Sequence, residues 1–223
     1  MHILVNISML LAAYLLGSVP TAVWVGKSFY GIDVREHGSG NAGSTNAIRV
    51  LGLKPGLVVF FIDVLKGFTA VNLLRLTKYY IPTTGEFINF QLLLGIAAVI
   101  GHIFPIWANF KGGKGVATLF GIVLAIHPLP TLISIGIFFI SLISTKYVSL
   151  SSMIAGFSFP FLVILIFKTT TSSLVIFSLI IAVLLLFTHQ KNIERLLRKE
   201  ESKATFLKRK KHRIDAEEET EAA

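Results

Sequence analysis

GVATLFGIVLAIHPLPTLISIGIFFISLIST, residues 115–145, is the stretch on which the fold turns. It contains no charged residue and is apolar almost throughout, so it belongs in lipid. Its 31 residues exceed the roughly 17–25 that one helical span uses. Pro128 and Pro130 sit in its middle. Proline lacks an amide donor and its ring clashes with the preceding turn, so a helix entering from Gly115 breaks there. The stretch therefore predicts two short apolar helices, 115–128 and 130–145.

Outward from it the same pattern repeats. Apolar runs cover roughly 3–25, 56–74, 88–108, 147–167 and 172–188, which with the two above makes seven. Hydrophobic residues make up 53% of the 223 and charged residues 15%, against roughly a quarter charged in a soluble domain. Mean hydropathy is +0.74. Unbroken apolar blocks of this length mark helices that face lipid all round. Only Met1 and His2 precede the first block, with no basic n-region and no small-x-small site after it, so 3–25 reads as a retained helix. The fold class expected is an all-α integral membrane protein of about seven transmembrane helices.

Charge orients them. Cytoplasmic loops collect Lys and Arg. Seven spans put seventeen basic residues on one side, among them Arg35, Arg49, Lys111, Lys114, Lys146 and the C-terminal run, and leave Arg75, Lys78 and Lys168 on the other. Six spans would separate the basic tail from the other basic loops. The expected arrangement has an extracytoplasmic N-terminus and a cytoplasmic C-terminus, with 1–197 as the membrane domain and 198–223 as a charged, disordered tail. The net charge of +9 follows from orientation and attraction to anionic lipid head groups, and no nucleic-acid partner is expected. The chain has no cysteine, which excludes disulfides and thiol chemistry. No His/Asp/Glu set has ligand spacing, so neither metal nor cofactor is expected.

Three polar segments fall on the cytoplasmic side. Residues 31–49 pack four glycines and five Ser, Thr or Asn residues before Arg49. Gly38 and Gly40 permit positive φ and close backbone approach, and such turns form anion-binding nests. Ser39, Asn41, Thr45 and Asn46 add neutral donors, and Arg49 a fork matched to phosphate. The second segment, Lys111-Gly112-Gly113-Lys114-Gly115, runs into an apolar helix whose N-terminus favours anions. It lacks Walker A spacing, and a positive-inside turn accounts for the same lysines. In the third, His189 and Asn192 lie i, i+3 on one helical face at the mouth of the last span. Inside the spans, Asp63 and Lys66 form an i, i+3 pair, either a structural ion pair or part of a site. His102 reads as a packed, hydrogen-bonded residue, Gly17-Ser18-Val19-Pro20 as a kink, and Trp24 and Trp107 as interfacial.

Taken in order, these segments resemble the bacterial acyl-phosphate:glycerol-3-phosphate acyltransferase family, PlsY. The resemblance runs to about Arg198. It consists of Gly17-Ser18-x-Pro20, the loop from Gly38 to Arg49, Gly101-His102-x-Phe104 followed by Lys111 to Thr118, and His189-x-x-Asn192-Ile193. The resemblance implies transfer of an acyl group from acyl phosphate, not acyl-CoA, to the 1-hydroxyl of glycerol 3-phosphate. The products would be lysophosphatidic acid and phosphate, made at the cytoplasmic face of the bacterial inner membrane. It implies catalytic roles for Ser39, Arg49, Lys114 and His189. Substrate or phosphate binding would fall to Gly38, Gly40, Asn41, Thr45, Asn46, Lys111, Gly112, Gly113, Gly115 and Asn192. Where the family sometimes carries Glu just before the end-motif Asn, this chain has Lys191. Two other readings compete. A His-x4-Asp acyltransferase would need an aspartate where His189-x4-Glu194 has glutamate, and a soluble α/β domain. A small organophosphate transporter would suit Asp63 and Lys66, although no inverted repeat is visible.

Overall fold

The computed structural model describes residues 2–204. Every regular element in that range is helical. The ten α-helices are α1 (His2–Gly17), α2 (Thr21–Tyr30), α3 (Ser44–Leu51), α4 (Leu53–Asn72), α5 (Gly85–Ile103), α6 (Val116–Ile126), α7 (Pro128–Thr145), α8 (Val148–Phe161), α9 (Ser172–Thr188) and α10 (Gln190–Leu197). Among the described residues, four helices are long and apolar enough to cross a membrane. The number rises to six if each bent pair, α1–α2 and α9–α10, counts as one crossing. The seventh expected run is α6, whose 11 residues extend about 16 Å at 1.5 Å per residue. That is short of the roughly 30 Å hydrocarbon core.

The proline breaks fall where their chemistry places them. α6 stops at Ile126, and Pro128 and Pro130 occupy the first turn of α7, where a missing amide has no helical partner to lose. Within the first apolar run, Pro20 separates α1 from α2 and the axis bends by 44°. The break frees the Val19 carbonyl, and Lys66 Nζ donates to it at 3.0 Å. Lys66 also pairs with Asp63 at 2.8 Å, and Thr21 Oγ1 donates to that carboxylate at 3.0 Å. Both members of the pair are buried. The intramembrane charges are thus bonded to each other and to the kink, which removes the feature that favoured transport.

Helix pairs meet through glycines. A Cβ on Gly17 would stand 2.0 Å from the Ala98 carbonyl oxygen, and one on Gly101 2.2 Å from that of Tyr14, so α1 and α5 pack backbone to backbone. α4 and α6 do the same through Gly67 against Thr118 and Gly121 against Val64. Close approach at small residues is how helices associate where lipid removes the hydrophobic drive. Long apolar side chains face outward instead, Phe61, Leu65, Ile143 and Leu165 each being more than half exposed.

One of three apolar clusters joins Ala22 and Val23 of α2 to Val34, Ala42, Ala47 and Val59. It seats the glycine-rich loop and α3 on α2 and α4. At the other end of the chain α9 turns by 61° into α10 at His189. Within residues 198–204, assigned by sequence to a disordered tail, Ala204 and Glu201 contact the helical region: the Ala204 amide donates to the Lys146 carbonyl at 2.7 Å, and Glu201 makes the side-chain contacts described below. The rest of that expected tail, 205–223, lies outside the described residues.

Candidate active site

The glycine-rich loop is held by two internal braces. Asn46, buried on α3, accepts from the Ser39 amide at 2.8 Å and donates to the carbonyls of Val34 and His37 at 2.7 and 3.1 Å. Its side-chain amide is thereby bonded to loop backbone. Gly38 (φ +62°) has no room for a side chain, since a Cβ would meet Asn46 Oδ1 at 2.4 Å. Asp33 and Arg35 form the second brace, a two-pronged pair at 3.0 and 2.7 Å. The hydrogen bond from Arg35 holds the Asp33 carboxyl well below the usual carboxylate range, against its desolvation. Ser39, Gly40, Thr45 and Arg49 are exposed, while Asn41 turns its amide over Gly43 at the start of α3.

The lysine–glycine loop is built differently from an open amide nest. The amides of Gly112 and Gly113 donate to the carbonyls of Ile103 and His102, each at 3.1 Å. A Cβ at Gly112 would lie 2.0 Å from the His102 oxygen, and one at Gly113 2.2 Å from His102 Nε2. These two glycines therefore fold the loop flat against the end of α5. Beneath it, His102 is fixed by Thr118 Oγ1 at 3.1 Å. Gly115 (φ +83°) then turns the chain into α6, whose first amides have no intrahelical acceptor.

That fold-back carries Lys114 to the end motif. Lys114 Nζ donates to Asn192 Oδ1. The other side of that amide donates to Glu201 Oε1 at 2.7 Å, which also accepts from Ser149 Oγ at 2.8 Å, while Arg195 Nε reaches Glu201 Oε2 at 2.7 Å. Burial alone would raise the Glu201 pKa, but these three hydrogen bonds outweigh it and keep the group below its ordinary value. Burial pushes Lys114 down to about 8; Glu201 opposes that shift, and the charges of Arg195 and Arg49 add to it. His189 lies beside them, buried, with Nδ1 2.9 Å from the Leu185 carbonyl. A carbonyl only accepts, so the neutral ring carries its proton on Nδ1 and presents Nε2 as an acceptor.

Lys114, His189 and Asn192 are thus brought together, with Arg49 close enough for its charge to act on Lys114. Lys111 and Gly112 instead line an open cleft of about 340 Å³ with Asp33, Arg35, Glu36, Gly40 and Asn109. Sequence reasoning passed over Arg35, Asp33, Ser149, Arg195 and Glu201. The Asp-x-Arg spacing beside a glycine loop was a usable signal. Glu201 gave none, sitting in a charge run that reads as tail, yet its carboxylate accepts from Asn192, Ser149 and Arg195.

The chain is similar to known proteins over most of its length. The family profile described as glycerol-3-phosphate acyltransferase matches residues 7–199. A glycerol-3-phosphate acyltransferase of Pelodictyon phaeoclathratiforme is 39% identical over 91% of this chain and 98% of its own length. That of Staphylococcus carnosus is 43% identical over 89% and 98%. The crystal structure of PlsY, an integral membrane glycerol 3-phosphate acyltransferase, in its glycerol 3-phosphate form is 36% identical. It covers 89% of this chain and 94% of its own, with a TM-score of 0.78. The lysophosphatidic acid form of PlsY aligns with a TM-score of 0.76 at 35% identity. With the profile spanning nearly all of the described residues, this chain belongs to the glycerol-3-phosphate acyltransferase family.

Proposed function

We propose that the protein moves a fatty acyl group from an acyl phosphate to the 1-hydroxyl of glycerol 3-phosphate, releasing lysophosphatidic acid and inorganic phosphate. The observation that carries this reading is the charge balance around Lys114. Three cations, Lys114, Arg195 and Arg49, face one carboxylate, Glu201. The surplus positive charge matches a phosphate monoester, which holds about −1.5 to −2 at neutral pH. Both substrates carry phosphate, and the acyl chain accounts for a site at the edge of apolar helices.

An acyl phosphate is already activated, so the acceptor hydroxyl attacks its carbonyl carbon directly. The new bond joins the 1-oxygen to that carbon, the carbon–oxygen bond to phosphate breaks, and phosphate leaves. The hydroxyl proton passes to a substrate phosphate, whose second pKa lies near neutrality. Lys114, Arg49 and Ser39 stabilise the charge that develops. His189 and Asn192 hold glycerol 3-phosphate, with Nε2 of His189 accepting from a substrate hydroxyl. Gly38, Gly40, Asn41, Thr45, Lys111 and Gly115 belong to the phosphate-binding surface around them, and Asn46, Gly112 and Gly113 shape it through their backbone contacts. We place the site on the cytoplasmic face of a bacterial inner membrane, in a seven-span chain with its N-terminus outside.

Purified protein given labelled glycerol 3-phosphate tests the reaction, with palmitoyl phosphate in one sample and palmitoyl-CoA in another. Labelled lysophosphatidic acid is expected from the first alone, and Lys114→Ala should lower it by about a hundredfold or more, as removal of a charge-stabilising group does. Product from the CoA sample alone would refute the donor assignment.

A further inference from the structure

The connection between α5 and α6 passes through an unfavourable backbone. Asn109 and Phe110 are consecutive and both left-handed, with φ of 54° and 56°. Asparagine tolerates this region; a bulky residue there is an outlier, because its Cβ crowds the neighbouring carbonyl. Packing does not compensate, since the Phe110 side chain is 56% exposed. The Lys111 amide closes the turn onto the Ala108 carbonyl at 3.2 Å, and one side chain then reaches both carbonyls that flank the pair. Arg35 Nη1 donates to the Ala108 oxygen at 2.8 Å and reaches the Lys111 oxygen at 3.4 Å. The opposite edge of the same guanidinium is locked onto both oxygens of the buried Asp33, which Lys27 also contacts at 3.2 Å.

We propose that Arg35 is a positioning residue: anchored on Asp33, it clamps the left-handed Asn109–Phe110 turn from the glycine-rich loop and so sets where Lys111 and Lys114 point. A planar fork with five donors can hold a carboxylate on one edge and two carbonyls on the other, which a lysine cannot. On the α5 side the turn is already tied, by the Phe110 amide to Pro105 and by Gly112 and Gly113 to Ile103 and His102. Arg35 supplies the tie from the other loop, at the cleft between the two. The clamp couples the phosphate-binding loops, so that neither is positioned alone. This inference rests on the acyltransferase reading above.

Strain in the turn gives the test a rescue arm. Arg35→Lys keeps the charge and loses the fork, so KM for glycerol 3-phosphate should rise about tenfold or more with kcat changed less than about threefold. Phe110→Gly accepts the left-handed backbone freely. Added to Arg35→Lys it should lower KM by about threefold or more, while alone it should shift KM less than about twofold. Trp107, adjacent to the turn and 56% exposed, reports the loop without turnover. In a Trp24→Phe background it is the sole tryptophan, and Arg35→Lys should change its iodide quenching. Asp33→Asn, which keeps the guanidinium and loosens its anchor, should give the same KM pattern more weakly if Arg35→Lys does not fold. Unaltered KM and quenching would overturn the clamp, as would a fall in kcat with KM unmoved, or a KM rise that Phe110→Gly leaves in place. A parent enzyme that makes no lysophosphatidic acid would instead refute the acyltransferase reading, and the quenching arm would still decide the clamp.

Discussion

Lys114 shows how burial and function oppose each other in one side chain. The fold removes its ammonium from water beside two arginines, and its pKa falls to about 8, with Glu201 resisting the fall. The charged form is the one to which we assign phosphate binding. Because the folded pKa is depressed, the ammonium is fully present below about 8 and is lost as pH rises through that value. A bound phosphate dianion would restore it, since an opposite charge favours the protonated amine. The two kinetic profiles should therefore separate: kcat/KM for glycerol 3-phosphate, which reports the free enzyme, should fall above about pH 8 by up to tenfold per unit, and kcat should hold to higher pH. Coincident profiles would place the controlling ionisation elsewhere. At this scale the sequence picked out Lys114 by its place before a helix, and offered no hint that Asn192 and Glu201 were its partners.

Among the helices, packing at glycines does what a soluble protein does with a large apolar core. Gly121 of α6 lies against the Val64 carbonyl of α4, so close that an added Cβ would stand 2.0 Å from the oxygen and 2.9 Å from its carbon. Backbone cannot step aside as a flexible side chain can. Gly121→Ala should force α6 off α4, at about 1–3 kcal/mol by analogy with overpacked cores. A lowered unfolding temperature in detergent would show it, and an unchanged one would mean that α4 and α6 separate at little cost. The displacement should reach the site, because α6 begins directly after Gly115. The proline breaks were legible in the sequence; these glycine contacts were not, since a helix with glycines does not say which neighbour they face.

Over the whole molecule, orientation decides whether the site meets its substrates. The chain has no cysteine, so single cysteines can be introduced without competition. Lys54 at the start of α4 and Lys78 between α4 and α5 are both exposed. With the N-terminus outside, a membrane-impermeant maleimide should label Lys78→Cys in intact cells and Lys54→Cys only after permeabilisation. The reverse pattern would invert the topology and put the site on the wrong side for a cytoplasmic donor. Among the described residues a seventh crossing would depend on α6, a short apolar helix of 11 residues.

Apolar run length, proline position and the spacing of glycines with basic residues are local properties, and they determined the membrane class, the breaks at Pro20 and Pro128, and the loops to which we assign the chemistry. Each depends on what a residue does to its own few neighbours along the chain. The tertiary structure alone decided the partners. Arg35 reaches a carbonyl 73 positions away, Lys114 an amide 78 away, and Ser149 a carboxylate 52 away. A hydrogen-bonding group carries no label for its distant partner: from sequence Asn46 reads as a phosphate ligand, Arg35 as an orienting charge and Glu201 as part of a solvated tail. Only when helices locked by glycine contacts bring the loops together does the need to satisfy buried polar groups assign each one.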